Sequence, residues 1–393
     1  MTTARVALFS GGRGSASIGR ELVRRADLHT SVLVNAYDDG LSTGALRRLI
    51  PGLLGPSDFR KVFAGLLDLE DPVGVLLRHR LTTRDFDPSD LPATAADALR
   101  ALDRGRATVF QECLRTYFEF VDRRAEPVDH RDFALGNLLI AGLFLGPYGL
   151  GDFNATITLF GRLCRVPAEV WNVSAGEPRW LVALTADGTL LTSESQIVAP
   201  HSAGSIADLY LLGDRPSASE WRQVSGGTKD QKRAWLSAQA APAHPSVEAT
   251  DALLCADVVV FGPGTQHSSL YPSYRIAAEA VRASHAPVKA LVVNLDPDED
   301  IRGRSAWDVV ERALHYLGDP GNTNRVVTHV LHDPTSTLAG IGDQLFRRCA
   351  DAGISVLAGP YRSGTVPATH AGAPVVDALL AALATPSLSA RAS

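Results

Sequence analysis

Cysteine is scarce: Cys113, Cys164, Cys255 and Cys349 are the only four in 393 residues. They lie far apart, with no CxxC pair and no zinc-ligand spacing. This excludes a disulfide scaffold or zinc ribbon and leads us to expect buried thiols in a reducing cytoplasm. A charge excess is also missing. The formal net charge is −5 with 21% charged residues, so whole-chain electrostatics gives no case for nucleic acid or an anionic membrane as partner. No apolar run reaches the ~20 residues of a membrane span. The richest stretch, 134–148, is too short and is interrupted by Asn137, glycine and proline. The chain enters its first apolar run without a basic-then-apolar leader, and it contains no internal repeat or low-complexity tract.

What is present is an α/β pattern. Val6-Ala7-Leu8-Phe9 is a strand that breaks into Ser10-Gly11-Gly12-Arg13-Gly14-Ser15, and a helical pattern follows through Ile18, Leu22 and Val23. Ser31-Val32-Leu33-Val34 is a second strand, ending in Asn35-Ala36-Tyr37-Asp38-Asp39-Gly40-Leu41-Ser42-Thr43-Gly44. In an open parallel sheet both strand ends emerge at the carboxyl edge, where such sheets bind ligands. Residues 73–80, 95–102 and 109–123 read as helices, with a polar loop at 84–92. A strongly apolar helix at 133–145 carries one polar break at Gly136-Asn137, and an exposed apolar surface there would permit a homodimer. From Trp180 the pattern turns to β, with a hairpin through Asp187-Gly188-Thr189, a continuation through 193–198 and a strand at 210–212. The α/β pattern resumes with the strand Asp257-Val258-Val259-Val260-Phe261 and a second glycine turn, Gly262-Pro263-Gly264-Thr265-Gln266-His267-Ser268. Later strands fall at 288–293, 326–331 and 355–358, with helices at 307–316 and 375–383. The expected fold is a Rossmann-like α/β domain, a mostly parallel sheet with helices on both faces, plus a smaller β-containing insertion. Its divisions are 1–175, a cap at 176–248, the remainder at 249–384 and a frayed tail at 385–393.

The chemistry sits in the turns. Glycine lets backbone N–H groups approach an anion, with a helix N-terminus behind them. The first turn has neither the last glycine of a dinucleotide fingerprint nor a Walker lysine. Adjacent acids after a strand point different ways, so at most one of Asp38 and Asp39 enters a site directly. Gly40 and Gly44 bracket Ser42-Thr43 either as a phosphate-sized nest or as an Asx turn in which Ser42 or Thr43 caps a helix starting near Ala45. Asp58 reads as the cap of the helix through Val62, and Arg60-Lys61 as phosphate contacts or a solvated first turn. Asn137, if buried, must hydrogen-bond either to a neighbouring loop or to a ligand. His267 is an acid–base candidate or a hydrogen-bonding spectator.

The order of these motifs resembles the 2-phospho-L-lactate transferases (CofD-like enzymes of deazaflavin cofactor synthesis) and their YvcK-type gluconeogenesis-factor relatives. Ser10-Gly11-Gly12-Arg13-Gly14 is similar to a GGGTG loop. The segment from Val34 through Asp38-Asp39-Gly40 to Gly44 is similar to TDDGGSSG. Gly55-Pro56-Ser57-Asp58-Phe59-Arg60 stands in place of PPGDIR. Gly136-Asn137-Leu138-Leu139 matches GNLLL, the run from Asp257 into Gly262-Pro263-Gly264 matches the ADxxxxGPG strand and turn, and Val293-Asn294 lies where a further motif follows the next strand. The resemblance implies a Mg²⁺-assisted transfer of a phospho-containing group. The donor would be a nucleotide diphosphate-linked small molecule of GDP or UDP type, and the acceptor a small hydroxyl compound. It implies catalytic roles for Asp38, Asp39 and Arg60, and metal contact through Asp38 or Asp39. Phosphate or nucleotide contacts would come from Gly11, Gly12, Arg13, Gly14, Ser42, Thr43, Gly44, Asn137, Gly262, Pro263, Gly264, Thr265, His267 and Ser268. The gluconeogenesis-factor branch implies instead a nucleotide-sugar-binding regulator, and a specialised-metabolism transferase on the same scaffold is a third reading. Arg13, Tyr37, Leu41, Ser57 and Gln266-His267 depart from the family pattern, and Arg13 is positioned to add a phosphate contact.

Overall fold

Strand β1 (Ala4–Gly11) alternates its side chains between two cores. Val6 and Leu8 face one layer, with Ile18, Leu22, Val375 and Leu379. Ala7 and Phe9 face the other, with Phe261, Tyr274 and Val310. This two-residue period is what a strand buried on both faces requires. The computed structural model describes residues 3–84, 91–124, 127–147, 149, 151–199, 205–297, 299–340 and 342–385. Most of the loop expected at 84–92 and the tail from 386 lie outside these.

Around β1, seven parallel strands form one sheet. They are β1, β2 (Leu28–Val34), β3 (Glu169–Asn172), β7 (Val258–Gly264), β8 (Val288–Val292), β9 (His329–His332) and β10 (Ser355–Ala358). Their order is β10-β9-β8-β7-β1-β2-β3. The chain winds outward from β1 to β3, then returns beside β1 as β7 and winds the other way. The strand order therefore reverses between β1 and β7, and an open α/β sheet offers its ligand crevice at such a reversal. The expected Rossmann-like sheet, with helices on both faces, is thus present.

A helical lobe fills the connection from β2 to β3. Its helices Ser57–Leu66, Pro72–Arg78, Ala93–Ala101, Arg104–Asp122, Leu135–Leu145 and Phe153–Cys164 share one core that joins the sheet through Val32, Val34 and Val170. The apolar helix Leu135–Leu145 is buried on every side through Phe144, because it is the centre of this lobe. It leaves no exposed face for the dimer contact expected there. Cys113, Cys164 and Cys349 are buried as expected, but Cys255 is exposed.

A separate antiparallel sheet is formed by β4 (Trp180–Thr185), β5 (Leu190–Leu191) and β6 (Ile206–Leu212), in the order β5-β4-β6. Val182, Leu184, Tyr210 and Leu212 pack outward on Leu236, with Trp221 and Trp235 against that cluster. Leu181, Ala183, Leu209 and Leu211 face inward to the main core. The strand expected to continue through 193–198 is instead a short helix, Glu194–Val198. Only Ile197 of that helix is buried, so the segment lacks the alternating apolar face that would hold it on the sheet.

Candidate functional site

The two glycine turns meet backbone to backbone at the strand-order reversal. A Cβ on Gly14 would lie 2.5 Å from the Pro263 carbonyl oxygen and 2.6 Å from Gly264 Cα. A Cβ on Gly262 would lie 2.5 Å from the Phe9 carbonyl oxygen. Gly12 has φ +87°, a conformation that favours glycine, and it lies against Asp58 and Lys61. Gly11 pairs with Gly264 across a register shift. Residues 266–270 then run as a π-helical turn, Gln266–Leu270, an irregularity that recurs at functional sites.

The acidic loop after β2 lies inside the protein, with Asn35 through Gly40 all buried. Asn35 Nδ2 donates to the Ser268 carbonyl at 3.1 Å, tying this loop to the second glycine turn. Arg47 holds it from the other side. Its Nη1 donates to the Tyr37 and Asp38 carbonyls and its Nη2 to the Arg179 carbonyl, while its guanidinium lies 4.2 Å from the Trp180 ring centroid. Leu41 has φ +41° and is 76% exposed. It begins the helix Leu41–Leu49, whose N-terminus has no side-chain cap. Neither Ser42 nor Thr43 caps a helix near Ala45, because the helix starts four residues earlier. Thr43 bonds to the Ser57 hydroxyl, and Gly44 leaves room for the Asp39 carbonyl.

Asp38 and Asp39 diverge. Asp38 Oδ1 accepts the Gly40 N–H at 2.8 Å, and its charge is felt by Asp58, Lys61 and Glu194. Asp39 Oδ1 accepts the Glu194 N–H at 2.8 Å, and Arg47 and Arg48 of the helix Leu41–Leu49, with Arg215, balance its charge. Burial pushes Asp38 up to about 6, with Asp58 adding to the rise and Lys61 opposing it. Glu194 is pushed to about 8, first by burial and then by Asp38 and Asp58. Burial pulls Lys61 down, but Asp58 and Asp38 outweigh it and leave the ammonium above its ordinary value.

Asp58 does not cap its helix. The helix Ser57–Leu66 has no side-chain cap. The Asp58 carboxylate is held instead by Lys61 Nζ at 2.7 Å and Ser269 Oγ at 2.8 Å, and Ser269 in turn contacts Thr265 Oγ1 at 3.2 Å. Asn137 donates from Nδ2 to Ser57 Oγ and accepts at Oδ1 from Arg60 Nε, both at 3.0 Å. Both ends of its amide thus serve the neighbouring segment, which orients Arg60. Burial, then Arg80, then Arg13 lower Arg60 to about 10. A buried guanidinium lowered by burial and by two neighbouring cations favours an anion beside it. Arg13 is exposed at the rim.

His267 is 1% exposed. Its N–H donates to Asp300 Oδ2 at 2.9 Å and its Nδ1 lies 2.8 Å from Asp300 Oδ1. Nδ1 thus faces a carboxylate, and Nε2 is buried without a partner among the described residues. Among the described residues no group of three His, Cys, Asp or Glu side chains is placed to hold a metal ion, and no helix is long and apolar enough to cross a membrane.

Three participants here escape reading from sequence: Glu194, Asp300 and the carboxylate of Asp58. Asp58 and Lys61, three apart on a helix, carried a local signal. Ser193-Glu194 carried a weak one as a helix start. Asp300 carried none, because it reaches His267 only through the fold.

A family model described as 2-phospho-L-lactate transferase CofD matches residues 6–342. Among its relatives, the gluconeogenesis factor of Bacillus subtilis is 23% identical over 317 residues, covering 80% of this chain and 75% of that protein. The gluconeogenesis factor of Halalkalibacterium halodurans is 23% identical over 315 residues, covering 80% and 74%. The putative gluconeogenesis factor of Deinococcus radiodurans is 26% identical over 320 residues, covering 80% and 51%. A crystal structure of a UPF0052-family protein from Bacillus halodurans superposes with a TM-score of 0.64 at 20% identity, over 97% of this chain and 100% of that one, which establishes a shared fold. The chain belongs to the family of 2-phospho-L-lactate transferase CofD.

Proposed function

We propose that the protein is a CofD-like transferase. It moves a phospho-containing group from a nucleotide diphosphate-activated donor, of GDP or UDP type, to the hydroxyl of a small acceptor. The observation that carries this reading is the meeting of the two glycine turns at the strand-order reversal, directly beside the Asp38, Asp58, Lys61 and Glu194 charges. Backbone N–H groups of the two glycine turns are suited to the donor phosphates, apart from Pro263, which has none, and Gly264 and His267, whose N–H groups go to Asn294 and Asp300; the uncapped N-terminus at Leu41, Ser42 and Thr43 offers a further anion contact. Arg60 and Arg13 offset developing negative charge. The acceptor oxygen bonds to the donor phosphorus as the bond to the departing nucleotide oxygen breaks, and the acceptor proton passes to the Asp38 carboxylate. Such transfer relies on positioning and electrostatics more than on covalent participation.

The residues fit Mg²⁺. This ion is commonly held by one or two carboxylates together with ligand phosphates rather than by a protein cage, and Asp38 and Glu194 are carboxylates crowded enough to favour a cation. Asp38 is the better ligand than Asp39, whose Oδ1 accepts the Glu194 N–H and whose charge Arg47, Arg215 and Arg48 already balance. Bound there, the ion would neutralise charge on the donor phosphates. The test is incubation with GDP- and UDP-linked donors, Mg²⁺ and hydroxyl acceptors. Nucleotide release that requires both Mg²⁺ and Asp38 supports the transferase.

The second reading is a YvcK-like nucleotide-sugar-binding regulator. The names of the relatives that match most of the chain favour it. Saturable binding of a nucleotide sugar with no nucleotide release under the same conditions would select it.

A further inference from the structure

At the amino edge of the sheet, opposite the glycine turns, a cavity of about 270 Å³ lies where the helix Tyr271–Ala283 ends and β8 begins. Its walls include Arg282, His285, Lys289, Arg325, Ser284 and Thr328, and no aspartate or glutamate lines it. Among the described residues no ion pair joins Arg282, Lys289 or Arg325 to a carboxylate. The nearby Asp319 turns its oxygens to the Thr323 and Asn324 N–H groups and the Thr323 hydroxyl.

Lys289 is the centre of the argument. It is 4% exposed, yet among the described residues its ammonium has a single acceptor, the Val281 carbonyl at 2.9 Å. That contact suits the C-terminal end of a helix but leaves two of three donors unused. A buried charge is ordinarily paired, and here the charged residues that line the pocket with it, Arg282 and Arg325, are cations. Burial and Arg325 hold the Lys289 ammonium below its ordinary pKa. The surrounding loop is firmly built. Arg325 sits at φ +51° and donates its N–H to the Asn322 carbonyl. Asn322 is itself buried and bonds to the Val327 and Ala352 carbonyls. Ser284 Oγ accepts the Ala286 N–H, which frees its proton to donate. The pocket therefore presents ammonium, guanidinium and hydroxyl donors toward one small space.

We propose that this pocket is a binding site for a small phosphate-bearing anion, separate from the site at the glycine turns. Phosphate is the favoured chemistry because its oxygens accept from Lys289, Arg282, Arg325 and Ser284 together. The volume of about 270 Å³ suits a small ligand, since sites for larger ones span ~300–1,000 Å³. Lys289 and Asn294, which holds the Gly264 carbonyl at the other edge, are five residues apart along an extended chain, roughly 16 Å. One compact ligand cannot occupy both sites.

The test is hydrogen–deuterium exchange on the full chain with inorganic phosphate and, in a parallel arm, a three-carbon phosphate monoester. Chloride at equal ionic strength is the control. The expected result is protection of segments 282–289 and 322–328, lost in the Arg282→Glu/Arg325→Glu variant together with at least about tenfold weaker binding. Both positions are exposed, so the variant should keep the wild-type melting temperature in chloride. Response to inorganic phosphate identifies the phosphate itself as sufficient, and response to the monoester alone identifies a phosphorylated metabolite. No protection with either probe, protection confined to 11–15 and 262–268, or unchanged binding by the charge-reversed variant would overturn the proposal.

Discussion

Gly14 and Pro263 are in backbone contact: a methyl group on residue 14 would sit 2.5 Å from the Pro263 carbonyl oxygen. The first and second glycine turns are therefore one structure, locked by a side chain that is not there. Gly14→Ala must push them apart. Overpacking of this kind costs about 1–3 kcal/mol, so the melting temperature should fall. Nucleotide affinity, measured by calorimetry, should fall further than the stability loss explains, because the separated N–H groups no longer converge.

Asp38 and Asp39 should separate by phenotype. Asp38→Asn should reduce turnover about a hundredfold or more while the melting temperature holds or rises, since it removes a buried charge. Asp39→Ala removes the acceptor of the Glu194 N–H. Its main effect should be faster hydrogen exchange across the segment 190–198. Equal effects of the two variants on turnover, with no change in that segment, would count against the division of roles.

Glu194 gives a stability prediction with a definite sign. Its carboxyl is raised to about 8 in the folded protein, against an ordinary ~4.3 in the unfolded chain. The folded state thus binds the extra proton, and stability is lost as pH rises from about 4 through 8. In metal-free buffer Glu194→Gln should melt above wild type at pH 8 and close to it at pH 5. Thermal melts across that range check this, and a uniform offset at all pH values would contradict it.

His370 has the opposite sign. Burial holds its imidazole down to about 4, and its ring Nε2 lies 3.2 Å from the Val293 carbonyl. Stability should be full above about 6.5 and fall as pH drops toward 4, by about 2–3 kcal/mol. His370→Gln, which keeps an N–H donor, should flatten that acid limb in urea titrations.

The sheet was legible in the sequence because its strands are continuous apolar runs, such as 258–261, ending in glycines, and that is the pattern of a parallel sheet buried on both faces. The candidate site was legible only where chemistry and turn coincide, at 11–14, 38–39 and 262–264, the segments the fold brings together at the sheet's reversal. Asp58 misled because a helix-start aspartate ordinarily caps, whereas its contacts with Lys61 and Ser269 show that it does not. Glu194 was hidden in a segment whose apolar residues, Ile197 and Val198, imitate a strand's end. Asn137 was correctly expected to need partners, but the choice between a loop and a ligand depended on where Arg60 lay. The His267–Asp300 pair joins residues that share no local pattern.

The most direct test of the transferase reading follows free nucleotide over time. Purified protein is incubated with GDP- and UDP-linked donors, Mg²⁺ and a panel of hydroxyl acceptors, alongside Asp38→Asn and an EDTA control. The account predicts acceptor-dependent nucleotide release by the wild-type protein that EDTA abolishes and Asp38→Asn reduces about a hundredfold or more. Full release by Asp38→Asn, or tight donor binding by the wild-type protein with no release for any acceptor, would contradict it.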